Sequence, residues 1–168
     1  TRDEGVIPRD EVGRKDTSNE DKSLYLRVCP GDIVYNTMRM WQGVSALSPL
    51  EGIVSPAYTV LKPSSLVDAK FAAYLFKYTP AIHLFYRYSQ GLVSDTWNLK
   101  FSHFSKIKLE IPAVQEQVAI AKVLSNADHA IDALLRTEIA LRTERQTLMA
   151  QLLTGGRRLC LDTAKSAP

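Results

Sequence analysis

The pattern of hydrophobic and polar positions changes twice along the chain. The first 22 residues mix charged residues with Gly and Pro and show no hydrophobic period, which predicts a loop that carries no site. Beyond Leu24, short apolar runs alternate with turn residues such as Pro30-Gly31-Asp32, a pattern typical of strands joined by tight turns. The predicted strands cover residues 24–28, 33–35, 43–47, 52–54 and 57–61.

Two short helices are predicted after these strands. The first covers residues 66–78, and Ser64 or Ser65 offers its N-cap. The second has Thr79 as its cap, a proline as its first residue, and an end near Gly91.

Aromatic residues divide the chain into two regions. All of them lie between Tyr25 and Phe104. The alternating residues 107–111 predict one more strand before Pro112, where the composition changes. The sequence therefore predicts an α+β domain over residues 1–112.

A long helix is predicted over residues 113–154, followed by a flexible tail over residues 155–168. The stretch 113–153 is rich in Ala, Leu, Gln, Glu and Arg, contains neither Gly nor Pro, and ends before two glycines. Cap residues within 124–128 leave open a division into a short and a longer helix.

This predicted helix carries a stripe of residues spaced by three and four, which another helix must cover because an exposed stripe would aggregate. Two charged positions interrupt the stripe. They either specify register and partner or reach solvent where the helix bends, and both interpretations stay open. The stripe consists of Ile120, Leu124, Ala127, Ile131, Leu134, Glu138, Leu141, Arg145, Leu148 and Leu152.

Charge and composition narrow the possible functions. The net charge is +3, but residues 23–112 hold nine Lys or Arg against five Asp or Glu, an excess that permits phosphate binding without requiring it. Two distant cysteines and no secretory leader favour the cytoplasm. No apolar run approaches the roughly 20 residues that cross a bilayer. A start at Thr1 rather than Met favours a fragment or a processed product.

Catalytic signatures are missing from the sequence. His83, His103 and His129 have no partner at the spacing of a metal or nucleophile site, and each is interpreted as structural or surface. The chain has no glycine-rich phosphate loop and no nucleophile elbow. We therefore expect no metal, no cofactor and no catalysis by this chain.

Two segments, 31–43 and 86–101, interleave aromatic residues with polar ones suited to DNA. Arg, Asn and Gln can form paired hydrogen bonds with base edges, while Ser, Thr and Lys suit phosphates. The alternative is that the aromatic residues fill the core and the polar ones cap turns, which we favour for Trp41 and Trp97. The candidate DNA-binding residues are Asn36, Arg39, Gln42, Arg87, Ser89, Gln90, Thr96, Asn98 and Lys100.

Three runs of sequence carry a resemblance to a known family. They are GDIVYNTMRMWQGVSALSPLEGIVSPAYTVLKP, YRYSQGLVSDTWNLKFSHFSKIKLEIP and PAVQEQVAIAKVLSNADHAIDALLRTEIALRTERQTLMAQLLTG. In this order they resemble the specificity subunit of type I restriction-modification systems, over roughly residues 24–156. The resemblance implies a target recognition domain that reads one half of a split DNA site. It also implies an antiparallel helical region that separates the half-sites and docks methyltransferase and restriction subunits.

The chain departs from this family pattern in two ways. It has one recognition domain and one helical region where a complete subunit has two of each, and the usual start of the recognition domain is shortened or missing. We therefore expect a homodimer through the helix, with S-adenosylmethionine bound by the methyltransferase partner. Two alternatives stay open: the specificity tail of a fused restriction and methylation enzyme, and a degenerate specificity protein whose helix still binds partners.

Overall fold

The computed structural model of the chain describes residues 5–11, 13, 21–93 and 96–159. Its architecture is α+β, as predicted, with two small sheets, three short helices and one long helix. Within the described part of the first 22 residues, a single 3-10 turn, Arg9–Glu11, is the one regular element. Ser94, Asp95 and Cys160 lie outside the described residues.

Five strands form two antiparallel sheets, and they confirm the predicted strands to within two residues at each end. β1 pairs with β4 in a two-stranded sheet, while β2 lies between β3 and β5 in a three-stranded one. The strands are β1 (Leu26–Val28), β2 (Ile33–Asn36), β3 (Ser45–Leu47), β4 (Gly52–Val54) and β5 (Tyr58–Leu61).

The first helix, α1 (Ala69–Leu75), is shorter than predicted because its N-cap is Asp68 rather than a serine. The Asp68 carboxylate accepts a hydrogen bond of 2.8 Å from the Phe71 N–H. Ser64 instead closes the preceding turn, where its carbonyl accepts from the Val67 N–H. The helical pattern thus begins one turn later than the apolar spacing suggested.

The second helix, α2 (Thr79–Tyr88), also differs from the prediction at both ends. Tyr78 is its N-cap, so Thr79 is its first residue rather than its cap. It ends at Tyr88, short of Gly91, because Gln90 pairs with another segment instead of continuing the helix.

The strand predicted over residues 107–111 is wrong. The segment between α3 (Phe101–Phe104) and α4 (Val114–Leu153) forms no strand, although Ile107 and Leu109 are half-buried. Its alternation arises because an extended connection turns every second residue toward the domain. Ile107 packs on the hydrophobic core, but no strand among the described residues pairs with the backbone of this segment.

The core lies where β2, α1, α2 and the segment around Leu99 meet. Tyr35, Met40 and Phe85 are fully buried there. The Phe104 ring lies 5.3 Å from the Tyr35 ring and 5.7 Å from the Phe76 ring, measured between centroids. Aromatic packing therefore holds the sheet and the short helices together.

Helix α4 is continuous over its whole length, as the predicted long helix requires, and the alternative of a division near residues 124–128 is wrong. The cap-forming residues of that stretch do not interrupt it, because each is also accepted inside a helix at modest cost. The chain divides into two units, Thr1–Lys122 and Val123–Pro168, and the boundary falls inside this helix. None of the helices in the described residues is long and apolar enough to cross a membrane.

Candidate nucleic-acid interface

The structure brings the two polar-aromatic segments of the sequence together. The Leu99 N–H of the second segment donates to the Thr37 carbonyl of the first, at 2.7 Å. The Trp97 ring packs edge-on against Trp41 at 5.2 Å and against Tyr86 at 4.9 Å. The two segments, which are distant in sequence, thus form one surface.

The first segment turns sharply after β2. The Asn36 side chain accepts a hydrogen bond from the Met38 N–H at 3.0 Å, which closes a local turn. A 3-10 helix, Met40–Gln42, follows, and Met40 is fully buried in the core. Arg39, which precedes this short helix, is exposed. The turn therefore has a buried anchor and presents Arg39 to solvent.

At Gly43, this turn packs closely against the helices. It has a φ of 73°, a left-handed conformation that favours glycine, and a Cβ there would lie 2.8 Å from the Ile82 side chain of α2. The Lys77 ammonium group donates to the Gly43 carbonyl at 2.7 Å. The backbone that carries Arg39 and Gln42 is thereby held against α2.

The second segment forms a narrow loop after α2. Gln90 and Asn98 form an antiparallel bridge, with backbone hydrogen bonds of 2.9 and 2.8 Å. Gly91 follows, and a Cβ at this position would lie 2.7 Å from the backbone of Thr96. The two limbs of the loop therefore approach so closely that only glycine fits at position 91.

The nine candidate DNA-binding residues fall into two groups by their contacts. Four of them hydrogen-bond within their own turn or helix: Asn36, Ser89, Thr96 and Asn98. Within the described part of the chain, the other five side chains make no hydrogen bond or ion pair, and all but Gln42 are exposed. These five are Arg39, Gln42, Arg87, Gln90 and Lys100. Their donors and acceptors are free to meet a ligand.

The sequence analysis favoured Trp41 and Trp97 as core residues, and the structure places them elsewhere. Trp41 and Trp97 are half-buried in a ring cluster with Tyr86 and lie outside the cluster of buried core residues. The Trp41 indole N–H donates to the Met38 carbonyl at 3.0 Å, within its own turn. This ring cluster joins the two segments rather than filling the centre of the domain.

The sequence interpretation missed Leu92 and Val93 in the loop. Leu92 is fully exposed and Val93 more than half exposed, beside the free side chains of Arg87 and Gln90 in sequence. The available signal was an apolar pair directly after a glycine, within a run of polar residues.

Within the described ranges, no three His, Cys, Asp or Glu side chains lie close enough to one another to hold a metal ion. The His83 ring stacks on Tyr86 at 6.2 Å, and His129 is exposed on α4. The groups that the candidate interface offers to a ligand are the unpaired Arg and Lys cations and the Gln amides.

The predicted helical stripe is largely exposed between Val123 and Leu153. Leu134 and Leu141 are more than half exposed, and Glu138 accepts two hydrogen bonds from Arg142 one turn later, at 2.8 and 2.6 Å. One face of the last turns of the helix is mostly apolar. This face carries Leu141, Glu144, Arg145, Leu148, Met149, Leu152 and Leu153.

Comparison with known proteins identifies the family of the chain. A comparison with curated proteins gave no match. The family described as type I restriction modification DNA specificity domain matches residues 14–141, which include both polar-aromatic segments and much of α4. The chain therefore belongs to the family of type I restriction modification DNA specificity domains.

Proposed function

We propose that this chain reads one half of a split DNA target for a type I restriction-modification complex. The observation that carries the proposal is the single surface formed by the two polar-aromatic segments, where five polar side chains lack partners among the described residues. Membership of the specificity-domain family supports DNA as the ligand of this surface.

Each group of side chains has a role in the proposal. Arg39, Arg87, Gln42 and Gln90 contact base edges, because guanidinium and amide groups can form two hydrogen bonds with one base. Lys100 contacts a phosphate. The four residues with local hydrogen bonds hold the turns in shape, and each keeps unused capacity that DNA can take up.

The long helix supplies the assembly surface in this proposal. The exposed stripe of α4 packs antiparallel against the same helix of a second copy, and the paired helices space the two half-sites. Methyltransferase and restriction subunits dock on the helical region. The methyltransferase carries S-adenosylmethionine and flips and methylates the target adenine, so this chain performs no catalysis itself. The complex works in the cytoplasm.

The test is selection of DNA from a pool of randomised duplexes by the chain assembled with the methyltransferase subunits of its own system. We expect enrichment of a short motif, repeated on both sides of a fixed gap. The matched control is the assembly with Arg39→Ala and Arg87→Ala, which should not enrich the same motif.

Three results would decide against the proposal. An assembled complex that enriches no sequence would indicate the degenerate specificity protein, which binds partners but does not read DNA. A single motif without a second half would contradict the antiparallel pair of recognition domains. A catalytic domain in the reading frame ahead of Thr1 would instead indicate the fused enzyme.

A further inference from the structure

The loop between Gln90 and Asn98 carries two exposed apolar side chains next to polar residues. Leu92 is fully exposed, and Val93 beside it is more than half exposed. We propose that Leu92, supported by Val93, enters the DNA duplex as a wedge between adjacent base pairs. This inference rests on the proposed function, because it assumes that the surface binds DNA.

A wedge needs a rigid support. The neck of this loop, formed by the paired residues Gln90 and Asn98 together with Gly91, supplies one. Gln90 and Asn98 exchange two backbone hydrogen bonds, and Gly91 has a φ of 151° directly against the Thr96 backbone. Any side chain at position 91 would push the limbs apart. The neck therefore fixes the backbone on which Leu92 is carried.

The far side of the loop is closed by a second set of hydrogen bonds. The Thr96 hydroxyl donates to the Val93 carbonyl at 2.9 Å and accepts from the Val93 N–H at 3.3 Å, and the Thr96 N–H donates to the same carbonyl. Leu92 thus lies between two hydrogen-bonded positions. These hydrogen bonds restrict the backbone on both sides of Leu92, which reduces the conformational entropy that is lost when the side chain is inserted.

The surroundings of the loop favour DNA as the occupant over an apolar protein surface. Trp97, at the base of the loop, is held between Trp41 and Tyr86. Arg87 and Arg39 carry charges without an acidic partner in the described ranges. Both arginines lie within two residues of members of this ring cluster in sequence, and phosphates that flank a base step are suitable partners for their charges.

The experiment compares variants in the chain assembled with its methyltransferase subunits, on the duplex recovered by the selection described above. Leu92→Ala and Leu92→Asn should weaken binding by about tenfold, because the apolar contact is lost. Leu92→Met should bind like the wild type. The matched control is Leu24→Ala, at a leucine that is 75% exposed on the same domain and far from the loop in sequence.

A second measurement detects the wedge itself. Apolar wedges kink a duplex, so energy transfer between dyes at the two DNA ends should increase when the wild type binds. With saturating Leu92→Ala, the ends should lie further apart than with the wild type, even though the methyltransferase still flips its adenine.

Equal bending by the wild type and by Leu92→Ala would overturn the inference while leaving the proposed function intact. A Leu92→Ala chain that binds DNA normally but no longer co-purifies with the methyltransferase would show that Leu92 contacts a protein instead. A wild-type complex that selects no duplex would overturn the proposed function, and this inference with it.

Discussion

At the scale of single residues, Tyr35 is the clearest anomaly of the core. Its ring is fully buried on β2, and among the described residues its hydroxyl has no partner in hydrogen-bonding geometry. Burial raises the pKa of the phenol above its usual 10.0, and the hydroxyl of Thr59, which is paired opposite Tyr35 on β5 but outside hydrogen-bonding geometry, only partly offsets this shift. The hydroxyl is therefore a cost to folding rather than a contact.

Tyr35→Phe should raise the free energy of unfolding by about 1 kcal/mol, because it removes an unsatisfied buried group and keeps the ring. The stability advantage of the variant over the wild type should increase above pH 10. There the unfolded tyrosine loses its proton while the folded one keeps it, which lowers wild-type stability. Urea unfolding of both proteins at neutral and alkaline pH measures this difference. A loss of stability in the variant would mean that the hydroxyl has a partner after all.

Gln117 is the opposite case, a buried polar side chain with every contact satisfied. Its carbonyl oxygen accepts from the Asp68 N–H at 2.9 Å, and its amide donates to the Leu66 and Pro112 carbonyls at 3.1 and 2.8 Å. It ties the start of α4 to the cap of α1 and to the connection before α4. Sequence pattern gives no sign of this role, since glutamine on a helix is usually exposed.

Gln117→Ala should lower the free energy of unfolding by roughly 3 kcal/mol, because three backbone groups lose their partner in a buried place. Gln115→Ala is the matched control, at an exposed glutamine two residues earlier in the same helix, and should change stability by less than about 0.5 kcal/mol. Thermal unfolding of both variants tests the difference. Equal effects would contradict the role of Gln117 as a tie.

At the scale of elements, the sequence predicted those helices and strands whose positions depend on the chemistry of neighbouring residues. The strands were found because turn residues such as Gly31 and Gly43, both with positive φ, punctuate the apolar runs. The strand expected over residues 107–111 failed because alternation reports a half-buried extended backbone, while a strand also needs a neighbour to pair with. That neighbour depends on the tertiary structure.

The candidate interface shows the same limit. Residue chemistry selected the two segments that the structure joins, but it could not separate Arg39 and Gln90, whose side chains are free, from Asn36 and Thr96, which hydrogen-bond within their turns. That distinction depends on whether the folded backbone brings a donor or acceptor within hydrogen-bonding distance of the side chain. Leu92 was missed for a related reason, because exposure of an apolar residue cannot be derived from its type.

Helix α4 carries a prediction about assembly. Leu134 and Leu141 are exposed in the single chain, so we expect an antiparallel homodimer that covers them. Light scattering should give twice the chain mass of 18.8 kDa. Leu134→Asp with Leu141→Asp should give a monomer, because burying two unpaired charges costs several kcal/mol.

The matched control for this prediction places the same charges off the stripe. Ala133→Asp with Ala140→Asp lowers helix propensity at two exposed positions of α4, yet should leave the dimer intact. A wild-type chain that stays monomeric at high micromolar concentration would contradict the dimer. Dissociation of both double variants would point to loss of helix rather than to loss of the interface.

At the scale of the whole molecule, charge alone is too weak to explain DNA binding. The excess in residues 23–112 is nine basic against five acidic side chains, and some of the basic ones have partners: Arg27 is paired with Glu51, and Lys77 with a backbone carbonyl. Specific affinity must therefore come mostly from a few oriented contacts and from the assembled partner subunits. Base contacts and phosphate contacts should respond differently to mutation.

Arg87→Ala should weaken binding of the assembled complex to its selected duplex by about 1–3 kcal/mol and relax the preference at one base position. Lys100→Ala should weaken binding to all duplexes alike and lower the slope of log affinity against log salt by about one. Binding titrations across a salt series, on the selected duplex and on its single-base variants, separate the two effects. The sharpest contradiction would be Arg87→Ala and Lys100→Ala each leaving affinity, base preference and salt slope unchanged, because both side chains are exposed and lack partners among the described residues. In that case the DNA would have to lie on another face of the domain.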